Sequence, residues 1–158
     1  MEKAKNKLEF SKEEAEVISK LAVNPHRPNL DRSFYEDFSL RGIRVDRVDT
    51  EILLCSFKVP PRLTDGEGNL APGAIANLVD EIGGLVIYRD GLPMNASISM
   101  SISYVSTAKV DDVVDIFARL LGRKGSLFGT IVLLKNKVTG EVIAEGRHTL
   151  FSKHASKI

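Results

Sequence analysis

Apolar and polar residues follow two rhythms along this chain, and the longest stretch with a helical rhythm lies in its middle. From Asn69 to Tyr88, the apolar residues Ala74, Ile75, Leu78, Val79, Ile82, Leu85 and Val86 recur at three- and four-residue spacing. At about 100° per residue they gather into one stripe. Pro72 suits the first turn of such a helix, where a missing N–H costs nothing and φ is already set. The other side carries Ala76, Asp80, Gly83 and Gly84 in place of the Lys/Glu mixture of a solvated face. Each glycine inside a helix weakens it by roughly 1 kcal/mol relative to alanine, so close approach of a backbone or a ligand should compensate. Asp80, set among small residues with no nearby base, fits a hydrogen-bonded acid on a packing face and a functional acid equally well.

The strand rhythm is clearest after that helix. Ser97, Ser99, Ser101 and Ser103 alternate with Ile98, Met100, Ile102 and Tyr104, which predicts two distinct faces. Further strands are predicted over Ile43–Val48, Glu51–Val59, Val113–Leu121, Ser126–Lys135 and Glu141–Phe151. Asp49-Thr50, Gly122–Gly125 and Val138–Gly140 connect them, and Asp90-Gly91 is a turn signal after the helix. Pro60-Pro61 ends the second strand, since proline cannot donate to a ladder. Ser11–Glu14 has a capping-box pattern, and Ala15, Val17, Ile18 and Leu21 follow at helical spacing. Residues 24–42 are loop-like, with Phe34 and Phe38 as anchors. The order is short helix, two strands, long helix, four strands. That predicts an α+β fold, one antiparallel sheet wrapped on one long helix. Such a sheet leaves the helix's Asp80 side free, or available for burial on dimerisation.

Composition narrows the function classes. The chain has 158 residues, 43% hydrophobic and 27% charged, with a formal net charge of +1. Near-neutrality argues against broad electrostatic binding to nucleic acid or an anionic membrane. No apolar run approaches the roughly 18 residues of a membrane span, and the charged Met1–Leu8 lacks a signal-peptide core. Cys55 is the single cysteine, which excludes a disulfide framework. His26, His148 and His154 are too scattered to support a metal site. Cys55 is assigned to the core and His148 to a structural hydrogen bond in the last strand. The expectation is an intracellular protein, cytosolic by default, although Ser156-Lys157-Ile158 is near the Ser-Lys-Leu peroxisomal address.

Several motifs together carry a resemblance. Leu78-Val-Asp80, Ser97–Tyr104, Ser106-Thr-Ala-Lys109, Asn136-Lys-Val-Thr-Gly140 and Ile143-Ala-Glu-Gly-Arg-His-Thr149 resemble the hotdog-fold acyl-CoA thioesterases of the PaaI-like group. The likeness runs from about Ile43 to Phe151. It implies a hotdog domain over residues 41–154, preceded by a helix-and-loop extension over residues 1–40. It further implies a homodimer or homotetramer with active sites between subunits, and hydrolysis of acyl-CoA without metal or organic cofactor. Asp80 takes the place of the carboxylate that activates water or attacks the thioester. Ser97, supplied by the partner's strand, takes that of its orienting serine. The oxyanion falls to backbone N–H groups at the helix start, Gly73 among them. Coenzyme A falls to Tyr104, Ser106 and Lys109 and to the turn with Arg123, Lys124 and Ser126, whose cations suit its phosphates.

The chain departs from that family pattern at two places. The family's His-Gly-Gly, nine residues before the acid, is Ala71-Pro72-Gly73 here, and proline has no N–H to offer an oxyanion. The family's polar residue fifteen before the acid is Asp65. Three readings therefore stay open. The first is a thioesterase using Asp80, Ser97 and helix-start N–H groups. The second is a non-catalytic acyl-CoA-binding or regulatory protein that lost its oxyanion hole at Pro72. The third is another reaction on a CoA ester, using Asp65 and Asp80 as paired acids, one with a raised pKa.

Overall fold

The computed structural model describes Leu8 and residues 11–20, 33–88 and 95–152. The expected loop around Asn24–Asn29, the turn at Asp90-Gly91 and the C-terminal tripeptide lie outside the described residues. The chain divides into two compact units, Met1–Phe38 and Ser39–Ile158.

Helix α1 (Lys12–Ser19) falls where the capping pattern placed it, with Ala15 N–H donating to Ser11 O at 2.9 Å. Helix α2 (Phe34–Leu40) occupies a stretch expected to be loop. Its start is a reciprocal capping box: Ser33 N–H donates to Glu36 Oε2 at 2.7 Å, and Glu36 N–H to Ser33 Oγ at 3.2 Å. Phe34 and Phe38, one turn apart, stack on each other at 6.0 Å. Prolines at 25 and 28 favoured the loop reading, but they lie before the cap.

The second unit is one six-stranded antiparallel sheet. Strands β1 (Ile43–Val48), β2 (Ile52–Lys58), β3 (Ala96–Tyr104), β4 (Val113–Lys124), β5 (Leu127–Asn136) and β6 (Val142–Phe151) lie in the order β1-β2-β4-β5-β6-β3. The expected four-residue connection at Gly122–Gly125 is shorter in fact. Gly122, Arg123 and Lys124 continue β4, and only Gly125-Ser126 turns, with Gly125 at φ +60. A tight hairpin wants a positive φ there, which glycine adopts at no steric cost.

Helix α3 (Pro72–Leu85) lies on the sheet's inner face, packed against β3 to β6. Ile75, Leu78, Val79 and Ile82 are buried with Phe57, Val114, Ile116, Val132, Leu134, Ile143 and Leu150. Burying such a side chain stabilises the fold by about 1.5–3 kcal/mol. Gly146 lets helix and sheet meet, since a Cβ there would overlap Val79. The expectation of a free small-residue face is corrected. Gly83 and Gly84 are buried, Gly83 under Thr130, Val132 and His148, and Gly84 against Leu150. The glycines' propensity cost is offset by sheet contact over a wider arc than the apolar stripe alone.

Strand β3 is an edge, exposed along nearly its whole length. Its register on β6 shifts between Ser97 and Ser99: Ser99 pairs with Thr149, but Ser97 pairs with Leu150. A bulge of this kind flips everything beyond it to the other face. Ser97 thereby leaves the face of the other serines and joins Leu150 on the helix side. Among the described residues, no helix is long and apolar enough to cross a membrane.

Candidate active site

The bulge at Ser97 and the helix turn at Asp80 bring two of the expected residues together. Ser97 Oγ donates to Asp80 Oδ1 at 2.6 Å, a short charge-assisted bond. Both belong to the same chain, whereas the resemblance implied a serine from the partner's strand. The Asp80 side chain is 40% exposed. With Oδ1 held, Oδ2 is the oxygen open to a ligand.

A third residue approaches the same oxygen. His148 Nε2 on β6 lies 3.3 Å from Asp80 Oδ1. The ring is fully buried, and burial pushes its pKa below the usual histidine value, with the Asp80 charge pulling weakly the other way. The contact is thus one of neutral imidazole with carboxylate. The structural hydrogen bond expected of His148 is not formed in ordinary geometry by either ring nitrogen among the described residues. What the ring has in place of such a bond is Asp80. A signal for this lay in the sequence, because Gly83 sits one turn beyond Asp80 and a glycine there marks something large approaching the helix. The something is His148.

The helix start forms a second group of candidates. Pro72 is the first helical residue and supplies no N–H. Ala74 N–H donates to Ala71 O at 2.9 Å, and Ile75 N–H donates to the same oxygen at 3.1 Å. Gly73 N–H is the donor left in this turn, and the space beside Gly73 is open. Tyr104 Oη donates to Pro72 O at 3.4 Å. Lys109 Nζ reaches Glu67 O at 3.5 Å, and Ser106 Oγ is occupied by Val142 O at 2.9 Å.

Asp65 belongs to the loop before the helix. Its Oδ1 accepts from Glu67 N–H and Asn69 N–H, both at 2.9 Å, and its Oδ2 from Asn69 Nδ2 at 3.2 Å. The Asn69 backbone bond, followed by the Asn69 side chain, holds its pKa below the ordinary carboxylate value. Asp65 is thus the carboxylate that forms this turn.

At the β4–β5 hairpin, Arg123 Nε donates to Gly125 O at 2.8 Å and the guanidinium lies over the Phe128 ring at 5.2 Å. Arg123, Lys124, Leu127, Phe128 and Thr149 line an open groove of about 310 Å³. Ser126 sits at the turn, half-buried, its carbonyl accepting Ser152 N–H at 2.9 Å.

These candidates fall at two ends of the sheet. Ala96, beside Ser97, is in register with Phe151, Leu127 and Lys124, so Asp80, Ser97 and the hairpin cations share one end. Tyr104 is in register with Ala144, Leu134 and Ile116, so Tyr104, Lys109 and the helix start share the other. From Ala96 to Tyr104 the strand rises about 26 Å. From Gly73 to Asp80 the helix rises about 10 Å. Gly73 and Asp80 of one chain therefore stand about 10 Å apart along the helix, at opposite ends of the site region.

Residues 67–143 match the model of the thioesterase superfamily. Mouse acyl-coenzyme A thioesterase 13 is 40% identical over 101 residues, 63% of this chain and 71% of that protein. The chain belongs to the thioesterase superfamily. Among solved structures, thioesterase superfamily member 2 from Mus musculus aligns with TM-score 0.69 and 34% identity, over 75% of this chain and 87% of that one. The E. coli PaaI protein aligns with TM-score 0.65 over 75% and 90% at 14% identity, a likeness of fold alone. The sheet on its long helix is the superfamily's hotdog fold, as the resemblance implied. The matched span holds Gly73, Asp80 and Ser97 and stops short of His148. Among the described residues, no group of three or more His, Cys, Asp or Glu is placed to hold a metal ion.

Proposed function

We propose that this protein hydrolyses acyl-CoA thioesters to free acid and coenzyme A, at a site shared by two copies of the chain. The observation that carries the proposal is the Asp80 carboxylate, with Oδ1 fixed by Ser97 at 2.6 Å and Oδ2 open. Its relatives' names, acyl-coenzyme A thioesterase among them, support the substrate class.

The two-ended arrangement supports the sharing. If two β3 edges pair antiparallel about a twofold axis, the Ala96 end of one meets the Tyr104 end of the other. Asp80 and Ser97 of one copy then face the partner's helix start, and the hairpin cations face the partner's Tyr104–Lys109 segment. The long, exposed β3, with Ile98 58% and Met100 40% exposed, is the edge such pairing would cover. A homodimer is the minimal unit on this reading, and a homotetramer would pair two of them.

In that site, Asp80 Oδ2 takes a proton from water as the water oxygen attacks the thioester carbon. The carbonyl oxygen gains the displaced electron pair, and the partner's Gly73 N–H, at the positive end of a helix, holds it. Collapse re-forms the carbonyl and breaks the C–S bond, and the proton on Asp80 passes to the departing thiolate. Direct attack by Oδ2, giving a mixed anhydride that water then opens, uses the same groups. Arg123 and Lys124 suit the coenzyme's phosphates.

The second reading, an acyl-CoA-binding protein without turnover, is favoured by one observation, the missing donor at Pro72. Free-thiol release from short, long and aryl acyl-CoAs, compared with Asp80→Ala, separates the two. Turnover that vanishes in the variant is the expected result. CoA-ester binding with no turnover above the variant would overturn hydrolysis in favour of binding.

A further inference from the structure

We propose that Thr130 is a positioning residue that fixes the tautomer of His148, and through it the orientation of Asp80. The inference deepens the hydrolase reading and rests on it for its meaning, though its main readout needs no substrate.

The β5–β6 register sets Thr130 directly opposite His148, with both side chains pointing under α3. Thr130 and His148 are 0% and 1% exposed. Thr130 Oγ1 and His148 Nδ1 each lie 3.1 Å from where a Cβ on Gly83 would stand. Neither atom has a hydrogen-bond partner among the described residues, the other of the two included, so a small rotation or one water must join them. Buried polar atoms in folded proteins are overwhelmingly paired, so two of them at one glycine belong together. The glycine is what admits them. Any larger residue at 83 would press on both.

The chemistry then orders itself. Asp80 Oδ1 offers only lone pairs to His148 Nε2 at 3.3 Å. A neutral ring is favourable there only with its proton on Nε2. Nδ1 is then an acceptor, and it needs a donor in a dry interior. Thr130's hydroxyl rotates and can donate, directly or through one water. With the proton on Nδ1 instead, the Nε2 lone pair would face the carboxylate and push it away. Asp80 would lose the geometry that Ser97 and the ring together give it. Thr130 and Val132 approach from β5, Met100 is opposite on β3, and Asp80 and Gly83 approach from α3. Among these neighbours, Asp80 is the one ionisable group.

Ring nitrogen NMR of the full chain, labelled with ¹⁵N-histidine, tests this. His148 is assigned as the signal lost in His148→Gln. The wild-type ring is expected to carry its proton on Nε2, with Nδ1 shifted as a hydrogen-bond acceptor. In Thr130→Val, which keeps the volume and removes the donor, the Nδ1 shift should move toward that of an unbonded nitrogen. The kcat for thiol release should fall about tenfold with KM unchanged. Thr130→Ser should restore both. A wild-type ring protonated on Nδ1 overturns the proposal even if no variant folds. A folded Thr130→Val with unaltered ring shifts overturns it as well. If the shifts behave as expected but no acyl-CoA is turned over, the tautomer assignment stands and the hydrolase reading fails.

Discussion

Replacing Pro72 with glycine should make the enzyme faster. The first turn of α3 offers an oxyanion only one N–H, that of Gly73. Pro72 has none, and Ala74 and Ile75 are both committed to Ala71 O. Pro72→Gly adds a donor at the neighbouring position, pointing out of the helix start where the dipole already favours negative charge. Deleting one such donor elsewhere costs about 2.7–4 kcal/mol of transition-state stabilisation, a factor of about 10²–10³ in rate. Adding one is bounded by the same figures, so kcat should rise by up to roughly 10²-fold with KM little changed. The change has a stability cost, because proline at the first helical position is pre-organised and glycine loosens the unfolded chain. About 1–2 kcal/mol is reasonable. For a chain of this size that lowers Tm by roughly 3–8 °C. Initial rates of thiol release across a range of acyl-CoA concentrations, with a thermal melt of the same preparation, give both numbers. A cooperatively melting Pro72→Gly protein with the wild-type kcat would refute the claim that Pro72 removes a catalytic donor.

Ser97→Ala removes a 2.6 Å bond to a charged acceptor, of a class worth about 1.5–3 kcal/mol, so steady-state kinetics should show kcat reduced by about 10–10². An unchanged kcat would mean that the serine only decorates the edge strand. Stability should fall with acid in a particular window. The unfolded His148 ring titrates near 6.5 and the buried ring below that. Below 6.5 the unfolded chain binds the extra proton, so stability declines as pH drops through 6.5 toward the folded value and is flat above. Urea midpoints at pH 7.5 and 5.5 should differ in the wild type and differ less in His148→Gln. Equal slopes would place the effect elsewhere. Asp65→Asn should leave the shape of the pH–rate profile intact, because Asp65 is held ionised by Asn69 and Glu67. Loss of one limb of the profile would favour the paired-acid chemistry.

The fold was largely legible because its two periodicities differ so sharply. The 3.6-residue stripe from Ala74 to Val86 and the alternation along each strand leave little freedom for anything but a sheet on a helix. What local pattern could not show was long-range. The serine ladder from Ser97 to Ser103 alternates perfectly in sequence, yet the bulge breaks it, because register is decided by β6 and not by β3. The Gly83-Gly84 face was recognisable as unusual, but what it faces depends on where β5 and β6 lie. For the same reason His148 passed as a structural histidine, since its partner is sixty-eight residues away on another element. Asp80 and Ser97 were chosen through the family resemblance, and the fold brings them together. The resemblance placed the serine on the partner's strand, whereas the bond seen here lies within one chain. Asp65 shows the reverse case: the resemblance drew it toward the chemistry, while the Asp-Gly-Glu-Gly-Asn run is local turn chemistry and a turn is what the structure contains.

Subunit complementation tests the shared site most directly. Asp80→Ala lacks the base. Gly73→Glu sets a carboxylate beside the remaining oxyanion donor, in open space that a side chain can occupy and at a helix start that tolerates an acid. Each variant alone should be nearly inactive in thiol release from acyl-CoA. The two should be unfolded together, refolded as an equal mixture, and assayed with mixed dimers confirmed by differential tags. In a mixed dimer, one of the two sites receives a wild-type Asp80 and a wild-type helix start. Activity should return to about a quarter of the wild-type level, the share expected of random pairing. Mixed dimers that form and stay as inactive as their parents would contradict a site built from both copies.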